Sequence, residues 1–325
     1  MRVHSLPITS SKTVVSRDYV AIGGFGRSGS NFILKMFDAH EMTHCRNEPN
    51  DLEQGALSDL WAFFPEDLIR EFADLWPIAL DRVATTVSAR DDLPAQNKLF
   101  LKKGIVSRLA SWLQSKRRGR KLLGLEEEWP CPAAIYDTDL QAKALPVLKI
   151  MLDSGGLRKA HDIMPGQHVV HLIRRPDGFL NSWLNRYVLD AGEGHHKVWS
   201  ENQASLTRIL AYFDEDPTRC SQYSSAALIE SELWRWRYLN ESLLKLSPSS
   251  RYKLVTYEAA KAAPLKIAQD LYDFAGLDFG SQHQQRIAAI KNRRFAAPHT
   301  EAFATKDIDT AMENVLKGSP LASLI

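Results

Sequence analysis

The stretch that most constrains this chain runs from residue 20 to residue 31 and reads VAIGGFGRSGSN. Its apolar start, Val20 to Ile22, is typical of a buried strand, and the glycines at 23, 24 and 26 predict a tight turn. A helical pattern follows, with apolar residues at 32, 33, 36 and 37. Because amides at a helix N-terminus lack partners and the helix dipole favours negative charge there, this strand, turn and helix predict an anion cradle.

The position of Arg27 distinguishes this cradle from the loop of nucleoside triphosphatases. Their pattern, GxxxxGK[ST], ends in a lysine that binds phosphate and a hydroxyl that binds Mg²⁺. Here the cation comes before the last glycine, and Asn31 closes the run. The Mg²⁺-binding pair is therefore missing. A tight turn that binds no ligand is the alternative interpretation.

Composition places the chain among soluble globular proteins. Its 325 residues, 44% apolar and 25% charged, suffice for one large α/β domain or two small ones. A net charge of +2 gives no global reason to expect nucleic acid or a membrane surface. The three cysteines are scattered, and residues 1–18 lack the apolar core of a signal peptide. We predict a soluble, cytoplasmic protein without a metal, and the oligomeric state stays open.

Apolar runs that alternate with helical patterns predict the fold class. Further strands are predicted at 43–46, 146–151, 168–173 and 252–257, and further helices at 199–213, 225–247 and 265–276. Such alternation predicts an α/β three-layer sandwich with a central parallel sheet. Residues 51–90 have a helical period, with Leu57, Leu60, Trp61 and Phe64 spaced for one face.

A basic stretch at 98–121 leaves two interpretations open. Lysines and arginines there alternate with an apolar helical backing. A solvated helix face is the simpler interpretation, and a site for an anionic acceptor or a nucleic acid is the other.

Two motifs carry a resemblance to a known family. Residues 27–31, RSGSN, resemble the 5′-phosphosulfate loop of sulfotransferases that use 3′-phosphoadenosine-5′-phosphosulfate (PAPS), although Asn31 replaces the usual hydroxyl residue. Arg174, at a strand end, and Ser182, about two turns into the next helix, resemble the 3′-phosphate motif. Both side chains can reach one phosphate, Arg174 through charge-assisted hydrogen bonds. A third segment, Tyr257-Glu258, resembles the family's YE segment, whose tyrosine lies near the adenine.

The resemblance implies a P-loop-like sulfotransferase fold and a donor site for PAPS, with PAP as the product and no metal. Phe32 stands where cytosolic members carry an adenine-stacking tryptophan. The residues that the resemblance assigns to the nucleotide are Gly26, Arg27, Ser28, Gly29, Ser30, Asn31, Phe32, Arg174, Ser182 and Tyr257.

The resemblance also implies catalytic roles. Sulfuryl transfer needs a base for the acceptor proton and fixed cations near the oxygens on which charge develops. Arg27 and Lys149 match the stabilising cations, and Glu48 matches the glutamate base of tyrosylprotein and several bacterial sulfotransferases. Met151 stands where many cytosolic members have a catalytic histidine. Four histidines are reserve bases, each more simply explained as structural or exposed: His40, His44, His195 and His196.

We therefore predict a single sulfotransferase domain over 1–325, an enzyme of EC 2.8.2 type that sulfates a hydroxyl or amine of a small-molecule acceptor. Its segments are a phosphosulfate loop and base segment (19–50), a helical insertion that forms the acceptor region (51–145), the 3′-phosphate motif with the rest of the sheet (146–277) and a C-terminal segment (278–325). The alternatives are a small-molecule kinase that uses ATP and Mg²⁺, a sulfotransferase acting on a glycan, and a nucleotide-binding protein without activity.

Overall fold

The structure is a computed structural model. It describes residues 18–49, 60–85, 87–88, 98–104, 128–129, 136–183, 194–290 and 305–324. Elements are numbered within these ranges.

A five-stranded parallel sheet forms the centre of the molecule. Its strands are β1 (Tyr19–Gly24), β2 (Thr43–Asn47), β5 (Leu145–Met151), β6 (Gln167–Ile173) and β7 (Tyr252–Thr256), and their order across the sheet is β2-β5-β1-β6-β7. Every neighbouring pair in this sheet is parallel. A separate two-residue antiparallel pair joins β3 (Val87–Ser88) to β4 (Glu128–Trp129). The predicted parallel sheet is confirmed.

Helices cover both faces of this sheet. They are α1 (Ser30–Asp38), α2 (Phe72–Thr85), α3 (Thr138–Lys143), α4 (Ser154–Ile163), α5 (Pro176–Trp183), α6 (Gly194–Tyr212), α7 (Ser225–Leu244), α8 (Tyr257–Ala262), α9 (Pro264–Phe274), α10 (Ser281–Ala288) and α11 (Thr305–Leu316). Short 3₁₀ turns lie at Pro65–Asp67 and Pro320–Ser323.

The alternation of β1 side chains divides the core into two halves. Tyr19 and Ala21 belong to a cluster formed with α2, α4, α5, α6, α7 and α11, whereas Val20 and Ile22 belong to a second cluster formed with α1, α8, α9 and α10. Successive strand residues point to opposite faces of a sheet, so a strand buried on both faces must be apolar throughout. The predicted three-layer sandwich is therefore confirmed.

The order of the strands brings distant parts of the chain together at one edge. β5 lies between β2 and β1, and its register pairs Lys149 with Asn47 on one side and with Ile22 on the other. The carboxyl ends of parallel strands meet at the same edge, where open α/β sheets bind their ligands. The ends of β1, β2, β5 and β6 all lie there.

The insertion differs from the predicted helical pattern. Residues 61–64 are not helical, because their backbone packs against the start of α4: the Ala62 amide donates to Asp153 Oδ1 at 3.2 Å, and the Gly155 amide donates to the Ala62 carbonyl at 3.0 Å. The helix in this region is α2. Residue 57 lies outside the described residues.

Two smaller expectations are corrected. The strand at 252–257 ends at Thr256, because the Thr256 hydroxyl caps a helix by accepting from the Ala259 amide at 3.3 Å. Of the basic stretch, only 98–104 is described. Lys98 is buried against the end of α1, so this lysine belongs neither to a solvated face nor to an anion site, whereas Lys102 and Lys103 are exposed. None of the described helices is long and apolar enough to cross a membrane.

Candidate active site

The glycine-rich turn between β1 and α1 is held in a left-handed backbone conformation. Arg27 has φ 66° and Gly29 has φ 92°, and Gly29 precedes α1 without any side-chain cap on the helix. A side chain at residue 29 would overlap the ring of Tyr257, so only glycine allows the ring to pack there. The turn thus presents the uncapped start of a helix beside an aromatic ring, an arrangement that suits a phosphate and a nucleobase.

The second motif lies against this turn. Arg174 Nη1 donates to the Arg27 carbonyl at 3.1 Å, and Arg27 Nε donates to Ser182 Oγ at 3.2 Å. The Arg174 guanidinium also lies over the Tyr257 ring, 4.7 Å from its centroid. Two motifs separated by about half the chain therefore form one cationic pocket wall.

Orphaned polar atoms test whether this wall suits a phosphorylated nucleotide. Ser28 Oγ and Arg174 Nε are buried and have no hydrogen-bond partner among the residues that the structure describes. Buried polar groups are nearly always paired in native proteins, so unpaired donors at a cationic site suggest a ligand with acceptor oxygens. Burial also lowers the pKa of Arg174, while Tyr257 and Glu258 oppose this. The residues present fit a phosphorylated nucleotide.

Lys149 is the centre of a second cluster beside the turn. Its ammonium donates to Asn31 Oδ1 at 2.7 Å and to Asn47 Oδ1 at 2.8 Å, and it lies 2.8 Å from Glu48 Oε1. The lysine side chain is 5% exposed and that of Glu48 is 39% exposed. Burial lowers the pKa of Lys149, and the neighbouring carboxylate of Glu48 opposes this effect. Solvent and an acceptor can thus reach the carboxylate, whereas the ammonium is enclosed.

Glu48 is fixed by its backbone as well as by the ion pair. Its φ is 50°, and its amide donates to the Lys149 carbonyl at 2.9 Å. A non-glycine residue in the left-handed region costs free energy and persists only where the surroundings impose it, often at functional sites. Arg27, Glu48 and Leu152 all have this left-handed backbone. Glu48 and Leu152 directly follow β2 and β5, and Arg27 lies in the turn after β1.

The remaining predicted residues fall in several places. Phe32 is half-buried and packs with the cluster on the α1 face. Met151 is buried at the end of β5, and its side chain offers no group that could act as a base. His40 and His44 are buried near the opposite edge of the sheet. The side chains of His195 and His196 lie outside the described residues.

Within the described residues, one cluster has the composition of a metal site, and its geometry opposes that interpretation. The rings of His40 and His283 stack at 4.6 Å with their planes only 18° apart, so their ring planes do not converge on one point. Backbone amides of Met42 and Gly280 donate to the two Nδ1 atoms, which leaves the hydrogen on each Nε2. Those hydrogens point to carboxylates of Asp278 and Glu41. This cluster ties the α1–β2 turn to α10.

Sequence reasoning missed Asn47. It directly precedes Glu48, and in the parallel register its Cα pairs with that of Lys149. Paired residues on adjacent parallel strands present their side chains to the same face, so this register places the side chain of Asn47 beside that of Lys149. Recognising it would have required the strand order, in which β5 rather than β1 neighbours β2.

Comparison with known proteins gives likenesses of fold. No protein-family model and no curated protein matches the sequence. Among solved structures, the sulfotransferase domain from the curacin biosynthetic pathway is 14% identical, with a TM-score of 0.39 over 91% of this chain and 90% of that chain. Sulfotransferase STF1 from Mycobacterium tuberculosis H37Rv is 13% identical, with a TM-score of 0.41 over 94% and 76%. Mouse sulfotransferase SULT7A1 complexed with PAP is 11% identical, with a TM-score of 0.43 over 94% and 87%.

The fold is similar to that of sulfotransferases. At identities of 11–14% and TM-scores below 0.5, this likeness of fold says nothing about activity.

Proposed function

We propose that the protein is a sulfotransferase that moves the sulfuryl group of PAPS to a hydroxyl or amine of a small-molecule acceptor. The observation that supports this most is the contact of Lys149 with both Asn31 of the phosphate-binding turn and Glu48. A cation and an accessible carboxylate thus adjoin a cradle for phosphate. This is the combination that sulfuryl transfer needs.

In this proposal, each side chain of the site has a role in binding the donor nucleotide. The turn from Gly26 to Phe32 holds the 5′-phosphate with backbone amides and with Arg27. Arg174 and Ser182 hold the 3′-phosphate, and Tyr257 lies against the adenine. Arg27 contacts Ser182 in the structure, so the two phosphate sites share one wall. No residue of this set is a metal ligand in the proposed mechanism.

Glu48 is proposed as the base. Its carboxylate accepts the proton of the acceptor as the acceptor oxygen or nitrogen attacks sulfur, and the bond from sulfur to the 5′-phosphate oxygen breaks. Negative charge grows on the leaving phosphate and the equatorial oxygens, as it does in phosphoryl transfer. Arg27 and Lys149 are the fixed cations for that charge. The proton remains on Glu48 until product leaves.

The donor site is tested by calorimetric titration with PAP and, separately, with ATP and Mg²⁺. We expect PAP to bind with micromolar or tighter affinity. Arg174→Ala should weaken it about 10- to 100-fold, because a charge-assisted contact to phosphate is lost. Binding of ATP but not PAP would favour the kinase interpretation, in which a P-loop fold uses Mg²⁺.

The base is tested by Glu48→Gln, with PAPS and an acceptor chosen from a panel of hydroxylated small molecules, amines and glycans. Glutamine cannot accept a proton, so turnover should fall about 10²- to 10⁴-fold while PAP affinity stays within about twofold. Unchanged turnover would show that another group removes the proton. Tight PAP binding with no transfer to any acceptor would favour a nucleotide-binding protein without activity, and transfer to a glycan alone would move the acceptor class to glycans.

A further inference from the structure

The ammonium of Lys149 has three hydrogens and three acceptors. Two of these are the neutral carboxamide oxygens of Asn31 and Asn47, at 2.7 and 2.8 Å, and the third is the carboxylate of Glu48 at 2.8 Å. The acceptors come from α1, β2 and the residue after β2, and they surround a side chain that is itself 5% exposed. The position of the ammonium is therefore fixed from three directions.

The chemistry of the two carboxamides matters as much as their position. A neutral acceptor satisfies a hydrogen of the ammonium without cancelling its charge, whereas a carboxylate does both. Glu48 is thus the one anion in direct contact with Lys149 among the described residues. When Glu48 takes up a proton, its charge disappears, and the charge of Lys149 is left without compensation as the sulfuryl oxygens become more negative.

We propose that Asn31 and Asn47 are positioning residues for Lys149, which hold its ammonium at the sulfuryl group while leaving its charge available. This inference rests on the proposed function, and it extends that function to Asn47. It also gives a reason for asparagine at residue 31, where the related motif has a hydroxyl residue. The carboxamide oxygen stands one bond farther from the backbone than a hydroxyl does, and it reaches Lys149 at 2.7 Å.

The first test needs no substrate. An ammonium held by three acceptors exchanges its hydrogens slowly with water and gives a ¹H–¹⁵N signal in protein labelled at lysine Nζ, whereas exposed lysines exchange too fast to be seen. We expect such signals from Lys149 and from Lys98. Lys98 is also buried; it contacts Asp38 O, His40 O and Thr43 Oγ1 at 2.7–2.9 Å and lies 3.1 Å from Asp38 Oδ1. Lys149→Met and Lys98→Met assign the two signals.

Asn47→Ala should abolish or strongly weaken the Lys149 signal and leave the Lys98 signal in place. The matched control, Thr43→Val, removes one acceptor from Lys98 and should do the reverse. Asn47→Asp keeps an acceptor of the same shape, so the Lys149 signal should persist in that variant. A Lys149 signal that is unchanged in Asn47→Ala would overturn the positioning role.

The second test separates geometry from charge by comparing the affinities of PAPS and PAP. Only PAPS carries the sulfuryl group, so the ratio of the two Kd values reports on groups that interact with it. Lys149→Met should change this ratio by about tenfold or more, since the positive charge held near the sulfuryl group is lost. Asn47→Ala should change it about three- to tenfold in the same direction. Asn47→Asp should also change it, because a second carboxylate cancels the charge. PAP affinity should stay within about twofold in all three variants.

The outcomes distinguish this inference from the proposed function. If Lys149→Met changes the ratio but neither Asn47 variant does, the positioning role is wrong and the proposed function stands. If Lys149→Met leaves the ratio unchanged, or if the wild-type chain binds no PAP, the proposed function fails and the inference fails with it. Circular dichroism and thermal melting show whether each variant is folded, and Asn47→Asp provides a folded variant of nearly the same shape.

Discussion

Two buried lysines lie at opposite edges of the sheet and differ in what surrounds them. Lys98 donates to main-chain carbonyls of Asp38 and His40 at the end of α1. It also contacts Thr43 Oγ1 and lies 3.1 Å from the carboxylate of Asp38. Among the described residues, the partners of Lys149 are side chains, and the carboxylate of Glu48 is 39% exposed to solvent. Buried main-chain carbonyls at a helix end need a donor from the protein. A partly exposed side chain such as that of Glu48 can be hydrated instead.

The comparison separates a structural cation from one with a proposed catalytic role. Lys98 donates to carbonyls that the helix leaves unpaired, and its charge compensates the negative end of the α1 dipole. Lys149 lies near the end of β5, where open α/β sheets bind ligands, and its partners are the residues proposed to act with it. Burial and a count of hydrogen bonds would not distinguish them. The identity of the acceptors does.

The largest difference that we expect between the two lysines is in turnover. Lys149→Met should lower the rate of sulfuryl transfer about 10²- to 10³-fold, because a preorganised cation near the developing charge is lost. Lys98→Met should leave the turnover of folded protein unchanged. Both are measured with PAPS and the acceptor identified in the panel, at a protein concentration corrected for the folded fraction. Equal losses of turnover would contradict the distinction.

The second expected difference is in stability, and here the substitution of Lys98 has the larger effect. Lys98→Met removes the ammonium that donates to the Asp38 and His40 carbonyls and pairs with the Asp38 carboxylate. This change should lower the free energy of unfolding by about 3–5 kcal/mol. Lys149→Met should change it by less than about 1 kcal/mol, since removal of a buried cation also removes its desolvation cost. Urea unfolding of the two variants checks this. A larger loss for Lys149→Met than for Lys98→Met would reverse the assignment.

A third buried basic side chain sharpens the comparison, because it stays uncharged. His171 Nε2 donates to Asn240 Oδ1 at 2.9 Å, and Nδ1 accepts from the Tyr252 hydroxyl at 2.7 Å. Complete burial lowers the pKa of His171 to about 4. The folded state thus resists protonation more than the unfolded state does. Its contribution to stability is fully present above the unfolded pKa of about 6.5 and is lost as the pH falls towards 4.

This shift corresponds to roughly 3 kcal/mol of stability lost by pH 4. Because other groups also titrate in this range, the quantity to follow is the difference in unfolding free energy between wild type and His171→Gln. That difference should shift by roughly 3 kcal/mol in favour of the variant between pH 7 and pH 4. A difference that does not change with pH would show that His171 has an ordinary pKa in the folded state.

The fold was predictable because its signals are local. The apolar run at residues 168–173 can only be a strand covered on both faces, and it is β6. The helical spacing of residues 60, 61 and 64 did not identify the local structure, because it also suits an irregular segment held by Asp153. No local pattern carries that information, since Asp153 is far away in sequence.

Motifs pointed to the residues of the candidate site but not to their contacts, and the roles of these residues stay predictions. Arg27, Glu48, Lys149, Arg174 and Ser182 were all assigned from motifs, and the structure brings them to one edge. Asn47 was not identified because its partner is determined by the order of the strands and not by spacing along the sequence. Lys98 was misjudged for a related reason, because a basic stretch looks solvated until the helix end that covers one of its lysines is known.

The place of β5 between β1 and β2 also affects how the protein is made. β1 and β2 are synthesised early with only α1 between them, yet they cannot pair with each other, and both must wait for β5. Pairings between segments so far apart in sequence form slowly and expose unpaired strand edges meanwhile. A nascent chain that ends before residue 145 therefore carries Arg27 and Glu48 but lacks the strand that brings them together with Lys149. In refolding, recovery of PAP affinity should lag behind recovery of helical structure.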